Sequence, residues 1–203
     1  MIALETVIFD LGNVLLPFDW SIPSKRMSER TGCSQQELQD YITKTPFLGQ
    51  LELGQLTAQQ FFEIVARDLR FTGSRAEFDE IWSNIFTIDA AMVQLTQSLK
   101  GSYRRFVLSN TLPQHIEFVF AKYPVLQDFD GHILSYEVGL VKPDRRIYEL
   151  TMQRFGIAAE RAVFIDDLPA NVAAARATGL QAIHHKSFQK TRRELTRLGI
   201  PNI

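Results

Sequence analysis

Apolar residues run unbroken from Val7 to Phe9, stop at Asp10, and resume after a glycine turn at Val14 to Leu16. A continuous run of this kind predicts a strand covered on both faces, about Thr6–Phe9, and so a central one. From Ser21 to about Phe86 the β signal disappears. Helical periodicity replaces it over Pro23–Thr31, Gln35–Thr43, Thr57–Leu69 and Arg75–Ile85. Thr57 with Gln60 and Ser74 with Glu77 match the capping-box spacing, and Gly49–Gly54 reads as a loop between helices.

Beyond Asp89 strand and helix alternate. The pattern predicts helix Ala90–Leu99, strand Arg105–Leu108, helix Leu112–Lys122, strand Gly131–Leu134, helix Pro143–Phe155, strand Ala162–Ile165, helix Pro169–Thr178 and strand Gln181–Ile183. Pro143 and Pro169 stand at first helical positions and Gly179 where a helix stops. This rhythm implies βαβ units and an α/β fold built on a doubly wound parallel sheet, Rossmann-like, formed by residues 1–17 and 88–203. Residues 18–87 form an all-helical insertion. It leaves the chain just after Asp10, which places it over the carboxyl edge of the sheet.

With 203 residues and 45% hydrophobic content, the chain can build one good core and a smaller subdomain. Its 22 basic and 23 acidic residues nearly cancel, so no large field favours nucleic acid or an anionic membrane. The single cysteine, Cys33, has no intramolecular partner, which fits a reducing compartment. No apolar run approaches a spanning helix, and Asp10 interrupts the first run too early for a signal peptide. The expectation is a cytoplasmic protein with a small-molecule partner. Lys186 to Arg197 is basic, but it reads as an amphipathic helix docked through Phe188, Leu195 and Leu198.

Four strand ends carry chemistry-bearing residues. Ligands of open α/β sheets bind at the carboxyl ends of the strands, so Asp10 is a candidate nucleophile and hard-cation ligand, or else a turn or capping residue. Ser109-Asn110-Thr111 offers a hydroxyl and successive N–H groups to a phosphate, or simply caps a helix. Lys142 can neutralise phosphate and keep a nucleophile ionised, although Lys-Pro also suits a surface turn. Asp166-Asp167 sets two carboxylates side by side, which calls for a divalent cation unless they only complement a helix dipole.

In order and spacing these residues resemble the four motifs of the haloacid dehalogenase superfamily: Asp10-Leu11-Gly12-Asn13-Val14, Ser109-Asn110, Lys142-Pro143 and Asp166-Asp167. The resemblance covers essentially the whole chain, including the helical cap. The segment from Gly139 to Tyr148 is similar to the phosphatase branch, and Asp-Leu-Gly-Asn-Val is similar to sugar-1-phosphate phosphatases such as α-glucose-1-phosphate phosphatase. The resemblance implies a Mg²⁺-dependent phosphomonoesterase in which Asp10 forms an aspartyl-phosphate. It also implies Asp10, the Gly12 carbonyl and Asp167 as metal ligands, with Asp166 direct or through water. Ser109, the Asn110 backbone and Lys142 would hold the phosphoryl oxygens.

One position departs from the family pattern. Most of these phosphatases carry a second Asp two residues after the nucleophile, a general acid and base worth about 10²–10⁴-fold, and here that position is Gly12. The departure favours leaving groups that need no proton, such as an anomeric or aryl oxygen. It also opens two alternatives, a 2-haloacid dehalogenase and a non-catalytic phosphometabolite binder. Against both stands the retained Asp166-Asp167 pair. His115 and Glu52 are candidates to assist in place of the missing acid, and Phe47, Leu48, Gln50 and Glu52 are candidates to read the leaving group.

Overall fold

In the computed structural model, which describes residues 3–201, β1 (Thr6–Phe9) leads into five helices. These are α1 (Ser21–Thr31), α2 (Gln35–Lys44), α3 (Phe47–Glu52), α4 (Ala58–Asp68) and α5 (Arg75–Ser83). The chain then alternates through α6 (Ala90–Ser98), β2 (Arg104–Ser109), α7 (Pro113–Lys122), β3 (Gly131–Leu134), α8 (Ser135–Val138) and α9 (Arg145–Phe155). It finishes with β4 (Ala162–Asp166), α10 (Pro169–Ala177), β5 (Gln181–His184) and α11 (Phe188–Arg197). The sheet order is β3-β2-β1-β4-β5, with every pairing parallel. β1 is therefore central, as its unbroken apolar run predicts.

Alternation along β1 sends its side chains to two cores. Val7 and Phe9 join Met92 and Leu95 of α6, Ile116 and Val119 of α7 and Leu195 of α11. Ile8 faces the other way, with Phe106, Phe164, Ile147 and Tyr148 of α9 and Val172 of α10. A third cluster holds the inserted helices together, with Met27, Leu38, Leu51, Phe61, Phe78 and Trp82 buried and core residue Leu112 joining them. The C-terminal basic segment is the expected amphipathic helix: Leu195 is buried, and Phe188 and Leu198 pack against the first core.

Four local differences from the sequence expectation have physical reasons. Phe47–Glu52 is a helix rather than part of a loop, because burying Leu51 and packing Phe47 and Leu48 outweighs the roughly 1 kcal/mol cost of Gly49 in a helix. The helix ends before Gly54, which takes a left-handed φ of 66°. α9 begins at Arg145 rather than Pro143, because the Asp144 side chain accepts from the Arg146 N–H and caps it. Ser74 accepts from the Glu77 N–H, but the Glu77 carboxylate pairs with Arg30 instead of closing a box. A complete box instead forms between Ser34 and Glu37 at the start of α2, alongside the expected one at Thr57 and Gln60.

Candidate active site

Parallel strands put their carboxyl ends on one edge, and there the four motif segments converge. Asp10 follows β1, Ser109 closes β2, Asp166 closes β4, and Lys142 follows α8. Lys142 is 4% exposed, and its Nζ stands 2.8 Å from Asp10 Oδ1 and 2.7 Å from Asp166 Oδ2. Burial works to lower the Lys142 pKa, but the carboxylates of Asp10 and Asp166 outweigh it and hold the ammonium charged. The Lys142 backbone is fixed as firmly. Its N–H donates to Asn110 Oδ1 at 2.8 Å, and its carbonyl accepts from Asn110 Nδ2 at 2.9 Å.

Those two bonds settle what Asn110 can offer. Its side chain is committed to Lys142, which leaves its backbone as the group available to an anion. The expected run of free amides is also shorter than the sequence implies, because the Thr111 N–H donates to Ser135 Oγ at 3.0 Å. Ser109 is 2% exposed and lines the cavity that Leu11 and Gly12 border.

The two oxygens of Asp10 differ. Oδ1 accepts from the Leu11 N–H at 2.7 Å and pairs with Lys142, whereas no described donor reaches Oδ2. Burial raises the Asp10 carboxyl to about 6, a rise that Lys142 opposes and Asp166 reinforces. Asp166, fully buried, accepts from the Leu168 N–H at 2.8 Å and from Asn171 Nδ2 at 3.0 and 3.1 Å. With Lys142 added, both of its oxygens are engaged. Asp167 lies nearer the surface and accepts from Asn13 Nδ2 at 3.1 Å. Asp10, Asp166 and Asp167 bring carboxylate oxygens within 4.8 Å of one another, an all-oxygen donor set that suits a hard divalent cation.

Two of these supports were not among the sequence candidates. Asn171 lies in the first turn of α10, where it reads as an ordinary polar helix residue, and the Tyr148 hydroxyl donates to its carbonyl at 3.0 Å. Asn13 holds a left-handed φ of 52°, a conformation that asparagine tolerates better than most residues.

Gly12 has an ordinary φ, since it is absent from the left-handed positions, so the turn itself does not demand glycine. What stands there is Phe18, whose ring edge lies 3.1 Å from where a Cβ would be. An aromatic carbon thus borders the position at which related phosphatases would carry an acid. The cavity beside it, about 220 Å³, is lined by the loop after β1, the loop after β2, α7, and Leu48 and Glu52 of α3. Leu48 and Glu52 are four residues apart and share a helix face. The other two leaving-group candidates, Phe47 and Gln50, are not part of that lining, and Phe47 packs against Tyr41 among the inserted helices. Burial holds the Glu52 carboxyl above its usual range, against the pull of Lys142.

A profile of the haloacid dehalogenase-like hydrolases matches residues 4–179. The chain belongs to that family. Among curated proteins, it is 23% identical to D-ribitol-5-phosphate phosphatase from Bacteroides thetaiotaomicron over 95% of this chain and 97% of the relative. It is 25% identical to drimenol cyclase drtB from Aspergillus calidoustus, covering 96% of this chain but spanning only 36% of that protein's length. Among solved structures, the haloacid dehalogenase family enzyme bt-2542 from Bacteroides thetaiotaomicron, in complex with magnesium and inorganic phosphate, superposes with a TM-score of 0.82. Identity there is 25%, over 91% of this chain and 95% of that one. No helix among the described residues is long and apolar enough to cross a membrane.

His115 of this haloacid dehalogenase-like hydrolase lies in the cavity wall, 5% exposed, between the rings of Trp20, Trp82 and Phe86. Burial lowers its pKa to about 4, a hydrogen bond to the Trp82 backbone notwithstanding. It is therefore neutral at pH 7 and cannot serve as the missing general acid. The unfolded chain protonates this histidine at about 6.5 and the folded chain only near 4. Stability is full above pH 6.5 and falls as pH drops through that window, by roughly 3 kcal/mol at the acid end. Melting temperatures at pH 7.5 and 4.5 should show a smaller acid loss in His115→Phe than in the wild type. Equal losses would mean that His115 titrates normally.

Proposed function

We propose that this haloacid dehalogenase-type phosphatase hydrolyses phosphate monoesters of small metabolites through a phosphoryl group carried transiently on Asp10. The observation that carries the reading is the single ammonium of Lys142 shared between Asp10 and Asp166, beside Asp167, with a small cavity lined by the neighbouring Leu11, Gly12, Ser109 and Asn110. D-ribitol-5-phosphate phosphatase, a relative matched over nearly its full length, acts by its name on a small phosphate ester.

The donor set suits Mg²⁺, with Asp10, the Gly12 carbonyl and Asp167 as the direct ligands. Asp166, whose oxygens already receive four N–H contacts, would take the more indirect share. Bound there, the cation would offset the repulsion between a carboxylate nucleophile and a phosphate dianion.

The chain's own residues do the rest. Lys142 keeps Asp10 ionised, and with the Ser109 hydroxyl and the Asn110 backbone N–H it holds the phosphoryl oxygens. One Asp10 oxygen attacks phosphorus as the bond to the alcohol oxygen breaks. Water then attacks the same phosphorus, which releases inorganic phosphate and returns the carboxylate. Residues 18–87 act as a cap, reaching the leaving group through Leu48 and Glu52. With glycine at position 12, departure is fastest for oxygens that leave as stable anions, and sugar 1-phosphates satisfy that demand.

Phosphate release from a panel of esters, with and without Mg²⁺, tests this directly. Activity should be lost in excess EDTA and return with Mg²⁺, and the cation should raise Tm as any ligand of the folded state does. A chelated enzyme that still releases phosphate would remove the metal from the reading. Preferential turnover of a 2-haloacid would establish a dehalogenase instead.

A further inference from the structure

The cavity bordered by Leu11, Gly12, Ser109 and Asn110, the chain neighbours of the candidate nucleophile and the phosphate-holding segment, is walled mainly by hydrocarbon. Beyond those residues stand Leu16, Phe18, Trp20, Leu48, Phe86 and Ile116. The aromatic members form a continuous surface, with Phe18 edge-on to both Trp20 and Phe86 at ring separations of 6.0 and 5.9 Å. Because residue 12 has no side chain, that apolar surface reaches the place a side chain would occupy two residues after Asp10.

Few polar groups face the leaving group. The Asn110 side-chain amide is spent on the Lys142 backbone and the Thr111 N–H on Ser135. What remains on the lining is the Glu52 carboxyl, the Thr111 hydroxyl and the Trp20 indole N–H, while His115 Nε2 is buried in the wall without a hydrogen-bond partner among the described residues. A five- or six-carbon polyol carries more hydroxyl donors and acceptors than these few groups can satisfy. Each hydroxyl pressed unpaired against hydrocarbon weakens binding, whereas each buried apolar carbon strengthens it. The cavity is also smaller than the roughly 300–1,000 Å³ typical of sites for drug-sized ligands, so its occupant is compact.

Resting on the phosphatase reading above, we propose that the substrate class is the phosphate monoester of a compact apolar alcohol, an aryl or short hydrocarbon group seated against Phe18, Trp20, Leu48 and Phe86. The phosphate lies over Asp10 and Lys142, and the hydrocarbon fills the space between α3 and α7. Among such alcohols, phenols leave most readily without a proton donor at residue 12.

The test measures kcat/KM of the full chain with Mg²⁺ for phenyl phosphate, 3-methylbutyl phosphate, ribitol 5-phosphate, glucose 1-phosphate and glucose 6-phosphate. The decisive pair is 3-methylbutyl phosphate and glucose 6-phosphate, both esters of primary alcohols, which cancels the intrinsic leaving-group difference. The apolar ester should be favoured by about tenfold or more, the scale of discrimination that an apolar pocket supplies. Leu48→Asn should raise KM for 3-methylbutyl phosphate by a similar factor and leave the inhibition constant of inorganic phosphate unchanged. Glucose 6-phosphate or ribitol 5-phosphate turned over as well as 3-methylbutyl phosphate would overturn the substrate class while leaving the phosphatase reading intact. Hydrolysis of none of the five would overturn both.

Discussion

Asp10→Asn should lose phosphate release by a factor on the order of 10⁶, the scale seen when an enzyme loses its nucleophile, and should keep its fold. The amide is nearly the same shape and can still accept from the Leu11 N–H, but it cannot attack phosphorus. Lys142 would retain Asp166 as an ion partner at 2.7 Å, so no buried charge is stranded. Phosphate release under saturating phenyl phosphate and Mg²⁺, measured beside far-ultraviolet circular dichroism and Tm, separates chemistry from folding. A folded Asp10→Asn protein with wild-type turnover would end the covalent mechanism.

Lys142→Met should damage both folding and catalysis. The substitution leaves Asp10 and Asp166 facing each other in a buried site with no cation between them. Removing one partner of a buried ion pair typically costs about 3–5 kcal/mol. For a chain of this length that lowers Tm by roughly 10 °C or more at pH 8. The sign of the pH dependence follows from Asp10, whose carboxyl is already raised to about 6 by burial and would rise further without the ammonium. Acidification lets it protonate and relieves the repulsion, so the Tm deficit relative to wild type should shrink between pH 8 and pH 5. A deficit that is constant across that range would indicate lost packing rather than an uncompensated charge.

Three of the candidate site residues were legible in the sequence because each terminates an apolar run. Asp10, Ser109 and Asp166 sit at carboxylate or hydroxyl breaks after strands, and a parallel sheet brings such breaks to one edge whatever their separation along the chain. Their supports were not legible. Asn171 grips Asp166 from five residues away, but nothing in its local pattern distinguishes it from a solvated helix residue. The candidates for reading the leaving group were harder to rank for a different reason. Glycines 49 and 54 read as a loop, and without a helix there is no face to assign, so Phe47 and Leu48 were equivalent candidates. Once α3 forms, rotation decides between them: Leu48 faces the cavity with Glu52, and Phe47 joins the inserted helices' own core. The Asn110 side chain is consumed in fixing the Lys142 backbone, an allocation that only three-dimensional proximity reveals.

The central place of β1 also governs how the chain is born. β1 leaves the ribosome first, yet its neighbours are drawn from residue 104 onward and from residue 162 onward. At roughly 5–20 residues per second, β4 follows by on the order of ten to thirty seconds. Both edges of this apolar strand stay unsatisfied until β2 is made, and one of them until β4 follows, a state prone to aggregation. Met27, Leu38, Leu51, Phe61, Phe78 and Trp82, which pack together around the inserted helices, are all translated within that gap. They can bury one another while β1 waits, so the inserted helices also shorten the stretch of nascent chain needing a chaperone.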